Sequence, residues 1–236
     1  MIVVAFIVLA LAMMVIEAVR PARQWPRPRS WWPRALAING LQIAAVFVAG
    51  ATWERWLGPS VLSLRRLPLW AEIAIAYPLY VLWLYATHRA RHRFDVLWRW
   101  THQLHHSPAR IEVLTAFYKH PLEIVGESIG AAVLLFVLLG CSRDAAFAIT
   151  NLSGLLGLFY HWNVATPRWL GYVIQRPESH CIHHEQGVHA FNYSELPIVD
   201  ILFGTFANPA RFVGSCGLGD GREERFGDLL TGKDVT

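Results

Sequence analysis

The 236-residue sequence is poor in charged residues and in cysteine. Only 16% of its residues are charged, whereas soluble domains carry about 25%, and 54% are hydrophobic. This composition excludes a disordered chain, because disorder requires low hydrophobicity. The three cysteines, an odd and scattered set, exclude a disulfide framework. The balance is typical of a membrane protein.

Several cofactor signatures are also missing. The sequence has no glycine-rich dinucleotide fingerprint and no cysteine spacing for an iron–sulfur cluster. The Glu-x-x-His pairs of soluble di-metal carboxylate proteins are absent too. Any redox chemistry of this chain therefore depends on a different kind of centre.

Long apolar runs are what the sequence has instead. A bilayer core of about 30 Å needs roughly 20 helical residues, and five segments come close to that length. They are 1–19, 35–52, 67–87, 122–140 and 145–162. We therefore predict an all-α fold, an integral membrane bundle of four or five spans with a cytoplasmic helical cap. The first segment lacks a basic stretch before it and is interpreted as a retained anchor rather than a signal peptide.

The last two apolar segments are separated by only four residues, 141–144. Such a short connection predicts an antiparallel hairpin. Gly126, Gly130, Gly154 and Gly157 either allow these two helices to approach closely or merely fill space, and the sequence does not decide between the two.

Arginines set the orientation of the predicted spans. The first loop, 20–34, has five arginines and no acidic residue, which places it in the cytoplasm. The N-terminus then lies outside, while 88–121 and everything after 163 lie in the cytoplasm. The formal net charge of +4 is thus a topology signal, and we predict no nucleic-acid partner. The chain after Asn208 turns polar, and 220–225 is interpreted as part of a solvated tail.

Eleven histidines are the strongest local signal, and most of them fall into clusters. His88 and His92 are four residues apart, so both rings project from one helix face. Two further clusters repeat the spacing i, i+3, i+4, and each is expected to converge on one point. Their members are His102, His105 and His106, then His180, His183 and His184.

A metal explains these clusters better than packing does. Burying eight imidazoles without a cation would desolvate their donors and acceptors for no gain. Neutral imidazole is the commonest metal ligand among side chains and suits zinc, copper, iron and nickel. Eight histidines exceed the roughly four to six ligands of one such ion, so the pattern predicts a dinuclear, all-histidine centre.

The segments around these histidines carry several linked motifs. They are 87–92, 97–107, 119–123, 161–164, and 183–206 with its Phe191-Asn192-Tyr193 and Phe203-Gly204-Thr205-Phe206. Together they resemble the fatty acid hydroxylase / sterol desaturase superfamily over about 80–210. Some members have a further histidine four positions beyond the one that matches His161, where this chain has Ala165.

The resemblance implies a membrane-bound oxygenase that uses molecular oxygen and two electrons to hydroxylate or desaturate a lipid C–H bond. It implies two iron ions as cofactors, with zinc possible after purification because zinc binds more tightly than ferrous iron. No catalytic residue is implied beyond the metal ligands. Those ligands would be His88, His92, His102, His105, His106, His161, His180, His183 and His184.

The same resemblance implies partners and a division of the chain. The substrate would come from the bilayer, and a separate ferredoxin or cytochrome/reductase would supply electrons. We expect an anchor region at 1–79, a catalytic domain at 80–210 and a cytoplasmic C-terminal tail at 211–236. Hydroxylation and desaturation both remain open, and a non-catalytic metal-binding or transport protein and a zinc hydrolase are weaker alternatives.

Four side chains near the clusters have open roles. His189 either assists at the mouth of the site or is a solvated loop residue, and His120 is left without a role. Arg89 and Arg91 contact either lipid headgroups or substrate.

Overall fold

The computed structural model describes residues 2–56 and 58–236 and is helical throughout. Within those residues it has no strand, and its one β-bridge pairs Glu185 with Cys216. The α-helices are α1 (Ile2–Val19), α2 (Trp31–Trp56), α3 (Leu69–Arg93), α4 (Asp95–Leu97), α5 (Gln103–His106), α6 (Pro121–Ala132), α7 (Arg143–His161), α8 (Pro177–His183), α9 (Pro197–Leu202) and α10 (Phe226–Leu230). The predicted all-α fold is confirmed for this part of the chain.

Turns of other pitch extend or connect these helices. The segments Trp98–His102 and Val133–Leu138 are π-helical, so 95–106 and Pro121–Leu138 each form one continuous helical rod. Short 3₁₀ turns lie at Leu64–Arg66, Val113–Phe117, Arg168–Tyr172 and Arg222–Glu224.

Each of the five predicted spans coincides with a long helix. Two of these helices, Leu69–Arg93 and Pro121–Leu138, are long and apolar enough to cross a membrane, and Ala5–Val19 is a shorter apolar helix. The number of spans stays a prediction. Met1 of the first predicted span and Leu57 of the loop after the second lie outside the described residues.

The predicted hairpin turns at 139–142, between Pro121–Leu138 and α7. Ser142 caps α7, because its Oγ accepts a hydrogen bond from the backbone N of Ala145 at 3.2 Å. Glu72 of α3 accepts hydrogen bonds from the backbone N and the Oγ of Ser142. Leu135, Leu139, Ala145 and Ile149 of the hairpin share one buried cluster with Ala76 and Tyr80 of α3. The hairpin is thus anchored on α3.

Two of the four glycines of this hairpin contact other helices. Trp83 of α3 lies against Gly130, and Phe6 of α1 lies against Gly154. Gly126 faces open space, and the nearest side chain to Gly157 is Tyr160 of its own helix. The interpretation in which all four glycines bring the two hairpin helices together is therefore wrong, since the close approach at Gly130 is to α3.

The last part of the C-terminal segment, 229–235, packs against the helices. Leu229 and Val235 are buried in one cluster with Trp31 of α2 and Leu104 of α5. The side chain of Gln103 donates to the carbonyl of Lys233 at 2.8 Å and accepts from the backbone N of Val235 at 3.2 Å. Of the residues predicted to be solvated, 220–225, four are exposed and only Glu223 is buried, so that prediction is confirmed for most of the segment. The residues 229–235 differ from a solvated tail, because their apolar side chains cover the helix that carries three of the histidines.

The basic loop 20–34 packs against later parts of the chain. Arg23 forms an ion pair with Glu178 at 3.4 Å, and the backbone N of Ala22 donates to the carbonyl of Asn163 at 3.0 Å. Ser30 Oγ donates to Glu224 at 2.8 Å. This loop and the segments after 163 therefore lie on one side of the helical bundle, as the predicted topology requires.

The contact between Gly130 and Trp83 generates a stability prediction. A β-carbon at Gly130 would overlap the indole ring, so Gly130→Ala is expected to destabilise the protein by about 1–3 kcal/mol. Gly126→Ala on the same helix meets no atom within 4 Å and should be neutral or slightly stabilising, because alanine is the better helix former. Thermal unfolding of both variants in detergent measures the difference, and equal midpoints would contradict the packing.

Candidate metal centre

Four structural elements carry the nine predicted histidine ligands to one place. α3 contributes His88 and His92 from its last turns, and the rod 95–106 contributes His102, His105 and His106. His161 is the last residue of α7, and α8 with the residue after it contributes His180, His183 and His184. All nine are brought together at the ends of the long helices.

The nine rings form two groups, each of which could hold a metal ion. The five-histidine group consists of His88, His92, His102, His106 and His183, and the four-histidine group consists of His105, His161, His180 and His184. In each group the candidate ligand nitrogens lie within 4.8 Å of one another. The groups are adjacent, since the rings of His106 and His184 stack with centroids 4.1 Å apart.

Each of the two sequence clusters, 102–106 and 180–184, contributes histidines to both groups. His102 and His106 belong to the five-histidine group, but His105 belongs to the other. His180 and His184 belong to the four-histidine group, and His183 belongs to the five. Residues i+3 and i+4 both neighbour residue i on a helix, but they lie on opposite sides of it, so i+3 can turn toward a different group. The expectation that each cluster converges on one point is therefore wrong, and each cluster instead links the two groups.

Backbone carbonyls fix the orientation of four rings. The Nδ1 of His88 lies 2.8 Å from the carbonyl of Tyr193, and that of His183 lies 2.7 Å from the carbonyl of Phe191. His161 and His105 make the same contact with the carbonyls of Gly157 and Tyr118, at 2.8 and 3.3 Å. A carbonyl only accepts, so Nδ1 carries the proton in each ring. Each Nε2 is left with a free lone pair, which a nitrogen needs in order to bind a metal.

The Nε2 atoms of the five-histidine group are buried without a hydrogen-bond partner: those of His88, His92, His102, His106 and His183. Five such atoms in one place would be costly without a cation, because a buried polar nitrogen normally has a partner. In the four-histidine group, Nε2 of His180 lies 3.0 Å from Nε2 of both His161 and His184. One ring proton cannot satisfy three nitrogens, so this group also lacks a complete set of hydrogen bonds.

Burial keeps the rings neutral. It is the largest cause of a lowered pKa in the histidines that lie outside the long helices, which are His102, His105, His106, His180, His183 and His184. For most of them the repulsion of a neighbouring histidine is the next cause, and the pKa of His183 falls to about 3. At neutral pH these rings are in the unprotonated form that binds metal.

The donor set selects among metals. All nine ligand atoms are nitrogens, and hard cations such as Mg²⁺ and Ca²⁺ prefer oxygen. Zinc, copper, iron and nickel accept imidazole. A closed tetrahedral zinc site takes four ligands, so the five-histidine group offers more nitrogens than such a site needs. The residues present therefore fit a pair of first-row transition metals. Position 165 is an exposed alanine, and it therefore adds no fifth ligand to the four-histidine group.

An acidic residue supports the five-histidine group from outside it. The Nδ1 of His102 lies 2.9 Å from Glu123 Oε1, and the Glu123 side chain is buried. Arg91 lies 3.3 Å from the same carboxylate and 2.8 Å from Glu127, which Lys119 also contacts at 2.7 Å. The motif at 119–123 contains Glu123, but its spacing to a histidine gives no sign of this contact.

Arg91 is therefore an internal cation. Its side chain is buried in the pairs with Glu123 and Glu127, so the interpretation of Arg91 as a headgroup contact is wrong, and its contact with substrate stays a prediction. Arg89 is exposed and donates to the hydroxyl of Tyr85 at 3.0 Å.

The loop 189–193 is strained into place beside the site. His189, Phe191 and Asn192 have positive φ values of 40°, 65° and 48°, a conformation that costs side-chain-bearing residues about 1–2 kcal/mol each. Asn192 holds this loop, because its Nδ2 donates to the carbonyl of Ser179 and its Oδ1 accepts from the backbone N of Ala207, both at 2.8 Å. The strain turns the carbonyls of Phe191 and Tyr193 toward two ligand rings.

His189 belongs to the site's surroundings and His120 does not. The Nδ1 of His189 lies 3.0 Å from Nδ1 of His106, and its ring lies 5.4 Å from that of Trp98 at a tilted angle. Of the two interpretations of His189, the one at the mouth of the site is correct. His120 caps α6, with Nδ1 accepting from the backbone N of Leu122 and Nε2 donating to the carbonyl of Leu230.

Comparison with known proteins identifies one family. The family model described as fatty acid hydroxylase matches residues 73–205, which is more than half of the chain and includes all nine histidines. No solved structure matches the chain.

The contact between Glu123 and His102 generates a prediction on metal affinity. Glu123→Gln removes the charge behind the ligand ring while keeping its size, so affinity for Zn²⁺ should fall by about 10–100-fold. Competition against a chromophoric chelator measures the change in the purified chain. The matched control is Glu127→Gln, which also loses a contact to Arg91 but touches no ligand histidine. Equal affinities in the two variants would show that Glu123 does not support the metal.

Proposed function

The chain belongs to the fatty acid hydroxylase family, within the fatty acid hydroxylase/sterol desaturase superfamily, and from this premise we propose that it is a membrane-bound, non-haem di-iron lipid hydroxylase. It would insert one oxygen atom of O₂ into a C–H bond of a lipid, whether a fatty acyl, a sterol-like or another lipid. The observation that carries the proposal is the pair of adjacent, buried, all-nitrogen groups at the ends of apolar helices.

Two iron ions in these groups would supply the activation of O₂ that an unreactive C–H bond requires. All nine histidines would act as ligands, with His88, His92, His102, His106 and His183 around one ion and the other four around its neighbour. No other side chain is needed as an acid, a base or a nucleophile. An external donor, a ferredoxin or a cytochrome/reductase, would deliver the two electrons.

The protein's own part is to hold the rings rigidly and to keep water out. The Nδ1 contacts to backbone carbonyls and to Glu123 set the direction of the lone pair in five of the nine rings before any metal arrives. His106, His183 and His184 are fully buried. A dry site would prevent side reactions with solvent.

Five spans with the N-terminus outside would place this centre on the cytoplasmic face. The contacts of the arginine-rich loop 20–34 with Asn163 and Glu178 support that placement, because positive loops favour the cytoplasm. The same placement disfavours transport, since transporters hold their ligands near the middle of the bilayer on broken helices.

Removal of one ligand tests the proposal. His105→Ala takes one nitrogen from the four-histidine group, and oxidation of lipid should fall to background because the second ion loses a ligand. Mass spectrometry of lipids from cells that express the parent chain, His105→Ala or no chain measures it. His120→Gln is the control, since His120 lies outside both groups.

The outcomes separate the candidate functions. A lipid that gains one oxygen atom only with the parent chain and the control supports hydroxylation. Loss of two hydrogen atoms instead identifies a desaturase. Lipid profiles that are the same in all cells, with the three chains present at equal levels, would contradict an enzymatic role.

A further inference from the structure

The segment 194–203 packs beside the middle of two long helices, although it follows the last histidine cluster in sequence. Glu195 accepts hydrogen bonds from the hydroxyl of Tyr77 on α3 at 2.8 Å and from that of Ser153 on α7 at 2.5 Å. Ser153 lies eight residues before His161, about 12 Å along the helix at 1.5 Å per residue. Glu195 is therefore well below the level of the histidines.

α9 continues along α3 from this point. Val199 packs in one buried cluster with Val81 and Tyr85, and Phe203 stacks on Tyr85 with ring centroids 4.9 Å apart. These α3 residues lie inside the apolar run 67–87. Arg89, one turn farther along α3, is exposed and is the first charged residue after that run.

The irregular part of the segment has its polar groups satisfied within the protein. Asp200 accepts from the backbone N atoms of Tyr193 and Ser194 at 2.8 and 2.9 Å, and from Thr205 Oγ1 at 2.7 Å. The carbonyl of Glu195 accepts from the backbone N of Gln175 at 3.0 Å. Irregular backbone is tolerated at membrane depth only when it is buried in this way.

The outward face of α9 is entirely apolar. Ile198, Ile201, Leu202 and Phe203 are 54%, 44%, 72% and 52% exposed, while Asp200 is turned inward and buried. Trp169 and Tyr172 of the adjacent 3₁₀ turn are also exposed. In water this surface would be unfavourable, and in a bilayer it would match acyl chains.

We infer that residues 194–203 form a re-entrant segment, in which 194–196 is buried between α3 and α7 and α9 lies against the acyl chains of the cytoplasmic leaflet. This inference rests on the membrane placement in the proposed function. The occupant of the α9 face is bilayer lipid, because the face continues the apolar surface of α3 below Arg89 and exposes no charge.

The same face leads to the five-histidine group through aromatic rings. Tyr85 contacts Phe203 on one side and Tyr193 on the other, and the ring of Tyr193 lies 5.2 Å from that of His92. A lipid chain against Phe203 is thus two aromatic side chains from the ligands. The re-entrant segment would bring a lipid substrate close to the metal centre.

A spin label at Leu202 tests the depth of α9. The full chain carrying Leu202→Cys is labelled with a nitroxide and placed in phosphatidylcholine nanodiscs, and power saturation compares its collisions with O₂ and with a water-soluble nickel chelate. The native Cys141, Cys181 and Cys216 are buried, so the introduced thiol is labelled selectively. The matched control is Val213→Cys, an aliphatic side chain that is 94% exposed in the loop that follows the family match.

The inference predicts that collisions with O₂ exceed those with nickel at Leu202 and that the order reverses at Val213. A label at Leu202 that meets nickel as readily as the one at Val213 would place α9 in water and overturn the inference. Ile198→Cys repeats the measurement on the same face if Leu202→Cys does not fold. Lipid oxidation measured separately in the parent chain keeps this result distinct from a failure of the proposed function.

Discussion

Nine imidazoles in contact, seven of them buried and two half-buried, are stable only if each ring proton has an acceptor and each remaining lone pair has a cation. The first condition is met only in part, because Nδ1 of His180 and Nδ1 of His184 have no hydrogen-bond partner. Five other rings have acceptors, which are backbone carbonyls from three separate segments and one carboxylate, Glu123. Because a carbonyl only accepts, these contacts fix the tautomers and direct Nε2 inward. The second condition is a requirement for metal that the protein cannot satisfy by itself. Much of the surrounding structure can be understood as support for these contacts.

The long helices and the segments that follow them have complementary tasks in this support. α3 and α7 end at the site and present His88, His92 and His161. The strained loop at Phe191 and Asn192 brings carbonyls to rings that no helix end could reach. The C-terminal residues Leu229 and Val235 cover the rod that carries His102, His105 and His106. Distant parts of the sequence thus stabilise one centre.

The sequence was sufficient to predict the long helices and the eight clustered histidines that meet, because apolar runs and helical spacing are local properties. His161 was predicted from the family resemblance alone. The division of the rings into groups of five and four could not be predicted, since it depends on how the rod 95–106 and α8 face each other. The roles of Glu123 and Arg91 were missed for the same reason, as their contact depends on the packing of α3 against α6. The packed C-terminus was missed because Leu229 and Val235 are isolated apolar residues in a polar stretch. The hydrogen-bond acceptors of the ring Nδ1 atoms are mostly backbone carbonyls, and these cannot be recognised from residue types because every residue has one.

The central claim is that the nine histidines hold two metal ions. Metal analysis of the full chain purified from cells, combined with X-ray absorption at the metal edge, tests it most directly. We expect about two metal ions per chain, with a first shell of nitrogen whether the metal is iron or zinc that has replaced it, and at roughly 2.0–2.1 Å for zinc. One metal per chain, or a first shell that contains sulfur, would contradict the claim.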